Sequence, residues 1–281
     1  MTLGATAVGA MVGWRPRARA LAAPARFDWG IDYGAQTDPA LARAYRLLVL
    51  EPGHARPIAP LRGVGSELLG YVSFGEVEKT RPYFDTLLSA GALGEANPNW
   101  PDARMADLRH PRWRDTLLDV EIPAILAKGY DGIFIDTMDN AEAMQLRQPQ
   151  TSADMVAAGA ALIAAVRARF PKIRIMLNRG YAILPAAAPA IDMVLGEAMA
   201  SRWNFARQRY EMTSAADWAW QADRLRAAQS RNPALRLMTL DYWSPDDRRT
   251  VAELYARERA AGFSPYVATL ALDRLLPEPV R

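Results

Sequence analysis

The sequence predicts a single (β/α)8 barrel, and three features carry that prediction. Short apolar runs recur along the chain, each ending in a polar side chain; helical patterns fill the gaps; no compositional break marks a second domain. Strands alternating with helices pair in parallel through right-handed crossovers. Eight such units in about 250 residues match the size of a closed barrel.

The strands follow in order. Phe27-Asp-Trp-Gly-Ile31 leads to Asp32-Tyr33, and Arg46-Leu-Leu-Val-Leu50 to Glu51. Leu69 to Gly75 leads to Glu76, Tyr130 to Ile135 to Asp136, and Ile173 to Leu177 to Asn178. Ile191 to Gly196 leads to Glu197, Leu235 to Leu240 to Asp241-Tyr242, and Pro265 to Leu270 supplies the eighth run. Apolar runs without polar alternation suit strands buried on both faces. An ionisable group is costly inside such a strand, so each polar residue belongs at a carboxyl end, where barrels bind their ligands.

Helical spacing fills the intervals. Pro39 to Tyr45 is opened by Asp38 as N-cap, with Pro39 in the first position. Pro111 to Lys128 is kinked by Pro123 and closed by Gly129. Ser152 to Phe170 takes Ser152 as its cap, and Pro245 to Ala260 takes Ser244, with Gly262 past its end. The long connections Val77 to His110 and Ala198 to Ala234 read as loops and small helices over the mouth.

Composition narrows the chemistry. Hydrophobic residues make up 51% of the 281, ample for a large core. No cysteine is present, which removes disulfides, thiolate zinc sites and cysteine nucleophiles. The charge of +3 is scattered along helical stretches, not gathered into a patch, so no nucleic-acid partner is expected. Residues 1–26 stand apart from the barrel at 27–281. Met1 to Val12 is small and apolar, and its basic group, Arg15-Pro-Arg-Ala-Arg19, follows where a secretory signal would place it first. The stretch is too short to span a bilayer. Two readings stand: a disordered tail, or an export signal whose basic, twin-arginine start lies upstream of Met1. The second places the mature chain near Ala23 to Phe27, in a secreted or periplasmic protein with no stable membrane insertion.

The strand ends converge on one mouth holding Asp32, Glu51, Glu76, Asp136, Asn178, Glu197 and Asp241. Asp139 either joins them or remains a solvated loop acid, and Glu51 is as well explained by a turn as by a ligand contact. Clustered carboxylates raise one another's pKa, which keeps one protonated as an acid while another stays ionised. His54 and His110 form no metal-binding pair. Lys79, Lys128 and Lys172 avoid the strand ends, against a Schiff base, and no glycine-rich phosphate loop follows the last strands. Carboxylate chemistry without metal or cofactor remains, with glycoside hydrolysis as the leading case. Tyr33, Trp100, Trp203, Phe205, Tyr242 and Trp243 fall at strand ends or in long loops, where flat rings pack against sugar faces. Trp113, Trp218 and Trp220 sit in helical patterns and read as core.

Trp29-Gly-Ile-Asp-Tyr33, Gly70-Tyr-Val-Ser-Phe-Gly-Glu76, Asn99-Trp, Asp107-Leu-Arg-His-Pro-Arg-Trp113, Gly132-Ile-Phe-Ile-Asp-Thr-Met-Asp139 and Leu195-Gly-Glu197 occur in that order. This pattern resembles glycoside hydrolase family 114, the endo-α-1,4-polygalactosaminidase-like barrels that include hydrolase domains of bacterial Pel-type exopolysaccharide systems. It covers nearly the whole chain from Phe27 to Leu275. The resemblance implies Asp136 as nucleophile and Glu197 as general acid/base of a retaining mechanism. Around the second carboxylate the family often has longer polar sequence where this chain has Gly196-Glu-Ala-Met199, and Glu76 is the alternative acid/base. Substrate contacts are expected from Asp32, Tyr33, Glu76, Asp139, Asn178, Trp203, Asp241 and Tyr242. The expected activity is endo-hydrolysis, by a monomer, of a partly de-N-acetylated and therefore cationic hexosamine polymer such as α-1,4-polygalactosamine. Two alternatives are a non-catalytic carbohydrate-binding barrel and a hydrolase or lyase whose metal is held by Asp136, Asp139 and Glu197.

Overall fold

The computed structural model of the protein describes residues 27–54, 57–98 and 100–279. The expectations for residues 1–26, and Asn99 of the Asn-Trp pair, lie outside these residues.

Eight parallel strands form the central sheet: β1 (Gly30–Asp32), β2 (Leu47–Leu50), β3 (Glu67–Ser73), β4 (Gly132–Asp136), β5 (Arg174–Asn178), β6 (Met193–Glu197), β7 (Arg236–Tyr242) and β8 (Ser264–Ala268). Each pairs with the next in sequence order, as right-handed crossovers require. The seam between β8 and β1 is bridged at both ends. Trp29 Nε1 donates to the Ser264 carbonyl at 2.9 Å, and Tyr33 N to the Leu272 carbonyl at 2.6 Å. The result is a (β/α)8 barrel.

Pairing register assigns every side chain to the barrel interior or the helix layer, because alternate residues of a strand face opposite ways. Ile31, Val49 and Leu69 share one level, continued by Gly132 on β4. The same alternation puts Tyr71, Phe134 and Met176 on a common inner face, and Ser73 beside Asp136 above them. Leu195 lies level with Asn178 and with Met238, so Glu197 stands one inward step higher.

The helices depart from the sequence reading in instructive places. Asp38 caps Pro39–Ala42 as expected, accepting from Ala40 N. The segment from Pro111 is broken by a π-helical turn at Leu117–Glu121, just before Pro123, which lacks the N–H to continue an α-helical ladder. Gly129, at φ +95°, ends it. Ser152 does not cap the next helix, Met155–Arg169: it is buried in the turn from a helix the sequence reading missed, Asp139–Arg147. Ser244 does not cap Arg248–Ala260 either; Asp247 does, accepting from Thr250 N. The connections over the mouth are more ordered than loops. The first carries a three-stranded antiparallel sheet, Glu76–Glu78, Leu93–Ala96 and Ala103–Ala106. The second carries the hairpin Ser201–Asn204 and Arg209–Met212, then the helix Ala215–Arg231.

Candidate active site

Asp136 and Glu197 end β4 and β6 and lie on either side of Asn178 at the end of β5. Asn178 Nδ2 donates to Asp136 Oδ1 at 2.8 Å and to Glu197 Oε2 at 2.7 Å. Both bonds leave one nitrogen, so those two oxygens stand no farther apart than the lengths end to end, about 5.5 Å. Tyr242, on β7, donates its hydroxyl to the other oxygen of Glu197 at 2.5 Å. Tyr71, on β3, hydrogen-bonds Asp136, and its ring meets that of Tyr33 edge-on at 5.1 Å.

The backbone is strained at all three strand ends. Thr137 (φ +65°), Arg179 (φ +47°) and Ala198 (φ +54°) directly follow Asp136, Asn178 and Glu197. Left-handed conformations at non-glycine residues cost about 1–3 kcal/mol each and gather at functional sites; a β-branched threonine is an outlier. Thr137 is held there by its own hydroxyl, which donates to the Asp136 carbonyl (2.6 Å) and receives Gly75 N (2.8 Å). A side chain at position 75 is excluded, because its Cβ would stand 2.1 Å from the Thr137 carbonyl oxygen.

Burial pushes the Asp136 carboxyl up to about 6, and the charge of Glu197 pushes the same way. Bonds from Asn178, Thr137 N and Tyr71 pull against them. The Tyr242 hydroxyl is held well above its usual pKa by burial and by Glu197, so it remains a donor.

Two cavities open from this pair. The first, about 570 Å³, has Asp136 and Thr137 at its floor and is walled by Glu51, Glu76, Glu78, Asp102, Tyr33 and Trp100. The second, about 360 Å³, is lined by Glu197 with Arg179, Arg202, Asp217, Trp220 and Gln221. A third hollow of about 530 Å³ shares Trp100 with the first and is lined by Trp203 and Tyr210.

Several predicted site residues fall elsewhere. Asp32 and Asp241 are fully buried and do not reach the mouth. Register explains both. Ile31 and Leu240 face inward, so Asp32 and Asp241 face the helix layer while their neighbours Tyr33 and Tyr242 enter the barrel. Asp32 accepts from Gly34 N and the Thr37 hydroxyl, and Asp241 accepts from Ala200 N and Ser201 N. They brace loops. Asp139 accepts from Gly180 N at 2.8 Å and pairs with Arg179 at 2.9 Å, which positions the loop after β5. Glu76 is buried in the acidic cavity, bonded to Asn97 and Asn140. Trp203 packs on Tyr210 in the third hollow. Trp220 is 47% exposed and walls the Glu197 cavity, a correction to its reading as core. Tyr71, Arg179 and Glu78 were missed as well. Arg179 carried a signal, as it directly follows Asn178.

The model of glycoside-hydrolase family GH114 matches residues 5–279. The chain belongs to glycoside-hydrolase family GH114. It is a glycoside hydrolase, which sets aside the non-catalytic barrel. The structure of the glycoside hydrolase domain of PelA from Pseudomonas aeruginosa is 27% identical, with a TM-score of 0.79 over 90% of this chain and 99% of that one. Ega3 of Aspergillus fumigatus, crystallised in complex with galactosamine, is 18% identical, with a TM-score of 0.64 over 88% and 92% of the two chains, and shares the fold. An uncharacterised protein of Deinococcus radiodurans is 28% identical over 249 residues, 83% of this GH114 chain and 75% of that protein. Among the described residues, no three His, Cys, Asp or Glu side chains gather to hold an ion. No helix among the described residues is long and apolar enough to cross a membrane.

Proposed function

We propose that this GH114 protein is an endo-acting hydrolase of a partly de-N-acetylated hexosamine polymer such as α-1,4-polygalactosamine. The carrying observation is the carboxylate pair bridged by Asn178, its two oxygens within about 5.5 Å of each other, a spacing that suits retention. Asp136 attacks the anomeric carbon while Glu197 protonates the departing glycosidic oxygen. A water then gives its proton to Glu197 and releases the sugar from Asp136. Asn178 and Tyr242 hold Glu197 in place for both steps, and Asn178 tethers it to Asp136. Glu76, bonded to Asn97 and Asn140, has no such tether, which favours Glu197 as the acid/base.

The substrate class rests on charge. The Asp136 cavity presents Glu51, Glu76, Glu78 and Asp102 in a protein whose net charge is +3. Such a concavity gathers cations and repels uronic acids. The galactosamine bound to the structurally similar Ega3 is consistent with this choice. Hollows on both flanks of the pair suit an internal stretch of polymer. Monomeric action and export to the periplasm or medium complete the reading; the latter rests on the composition of residues 1–26.

The test is digestion of acetylated and de-N-acetylated hexosamine polymers with mass spectrometry of the products, the anomeric configuration followed by NMR. The expected result is oligosaccharides from the de-N-acetylated polymers with retained configuration. An inert panel would overturn the substrate class, and inverted products the mechanism.

A further inference from the structure

The two cavities beside the catalytic pair differ in charge. The walls of the Asp136 cavity carry five carboxylates. Among the described residues only two cations meet them from outside the lining, Arg81 at 3.8 Å from Glu51 and 3.6 Å from Glu78 and Lys79 at 3.3 Å from Asp102, which leaves carboxylate in surplus. The Glu197 cavity sets two carboxylates, Glu197 and Asp217, against two guanidinium groups, Arg179 and Arg202. Both arginines are paired from outside that lining, Arg179 with Asp139 at 2.9 Å and Arg202 with Glu211 at 3.0 Å. They present N–H donors without a surplus of either charge.

An ammonium group carries donors only and is stabilised by surplus carboxylate; it has nothing to accept from a guanidinium. An acetamido group is its opposite, with a carbonyl that accepts from arginine and a methyl that packs on an aromatic ring. Trp220, half-exposed in the second cavity, supplies that ring, and it is fixed edge-on against Tyr181 at 5.2 Å, with Arg224 stacked at 3.4 Å. Tyr181 in turn donates to Gln221 at 2.6 Å. The second cavity is built for a neutral sugar.

We propose that the two cavities read opposite acetylation states: a free-amine unit on the Asp136 side and an N-acetylated unit on the Glu197 side. This rests on the roles assigned above, which also fix the direction. The unit over the nucleophile forms its bond to Asp136, and after water replaces the carboxylate it becomes the new reducing end. The unit over the acid leaves with the electron pair of the broken bond and the proton of Glu197, and becomes the new non-reducing end. The enzyme therefore cuts on the reducing side of a free-amine unit that precedes an acetylated one.

The experiment digests an α-1,4-polygalactosamine randomly N-acetylated on half its units, with reducing ends marked by borodeuteride and products sequenced by tandem mass spectrometry. The expected result is free amine at new reducing ends and acetyl at new non-reducing ends, the ratio of the favoured to the disfavoured state rising from 1:1 in the bulk to about 3:1–5:1 at each end, the discrimination given by one partly exposed ion pair. Arg202→Gln should return the non-reducing ends to bulk composition and leave the reducing ends biased; Glu78→Gln should do the reverse. Bulk composition at both ends, or the opposite bias, overturns the inference while the substrate class stands. Cleavage of none of these polymers removes the substrate class and the inference with it.

Discussion

Two carboxylate pairs in this molecule look alike by charge and differ in access. Asp136 and Glu197 are half-buried on the inner face of β4 and β6, bridged by Asn178 and open to cavities on both sides. Asp241 and Glu258 are fully buried between β7 and the helix Arg248–Ala260. Burial pushes Asp241 up to about 7, helped by Glu258, and burial raises Glu258 as well. Glu258 accepts from Trp218 Nε1 at 2.6 Å, and one oxygen of each acid has no partner. On the roles proposed above, a perturbed carboxylate is not in itself a catalytic one. What separates the two pairs is strained backbone at the strand ends, shared hydrogen bonds and a route for substrate.

Mutation should break the comparison most sharply. Glu197→Gln is expected to lower kcat by about 10²–10⁴-fold, the range for a lost general acid, and Asp136→Asn by at least as much. Circular dichroism should stay unchanged in both. Asp241→Asn should stay within a few-fold of wild type. Equal losses in Asp241→Asn and Asp136→Asn would erase the distinction drawn here.

A smaller effect separates the pairs by pH. As the proposed nucleophile, Asp136 has to be ionised, and its carboxyl, pushed up to about 6 by burial, would set the acid limb. Below it kcat/KM should fall about tenfold per pH unit, since that ratio reports the free enzyme. A profile flat from neutrality to pH 4 would contradict the assignment.

Asp241 should instead affect stability. Its folded value near 7 lies above the ordinary carboxylate range, so the folded chain binds an extra proton between about pH 4 and 7. This contribution is fully present below that window and is lost as pH rises through 7. Asp241→Asn should therefore be more stable than wild type at pH 8 by about 1–3 kcal/mol, with little gain at pH 4. Thermal melts at the two pH values check this, and a gain at pH 4 alone would reverse the argument.

The smallest effect is electrostatic. Over a Debye length of about 8 Å at physiological ionic strength, added salt should slow cleavage of a cationic polymer at low concentration by a few-fold. Fully re-acetylated polymer should show no such slope. A salt-independent rate on both would detach the acidic cavity from substrate recognition.

The sequence by itself determined the barrel and the residues of its central pair. Uninterrupted apolar runs can be satisfied only by burial on both faces, and each had to end where an acid or amide could leave the core, as at Asp136, Asn178 and Glu197. Tertiary structure decided which way the terminal residues face. A strand reverses its side chains at every step, so a run read one residue short delivers Asp32 and Asp241 to the helix layer and Tyr33 and Tyr242 to the mouth. That inward set emerges only once each strand is paired with its neighbour. Trp220 needed more still. Its helix, Ala215–Arg231, has an exposed face that becomes a cavity wall only because Tyr181 and Ala198, from other strand ends, hydrogen-bond Gln221 beside it. No spacing within one helix records where a separate loop will pack, and the Glu197 side of the cleft was therefore left to the fold.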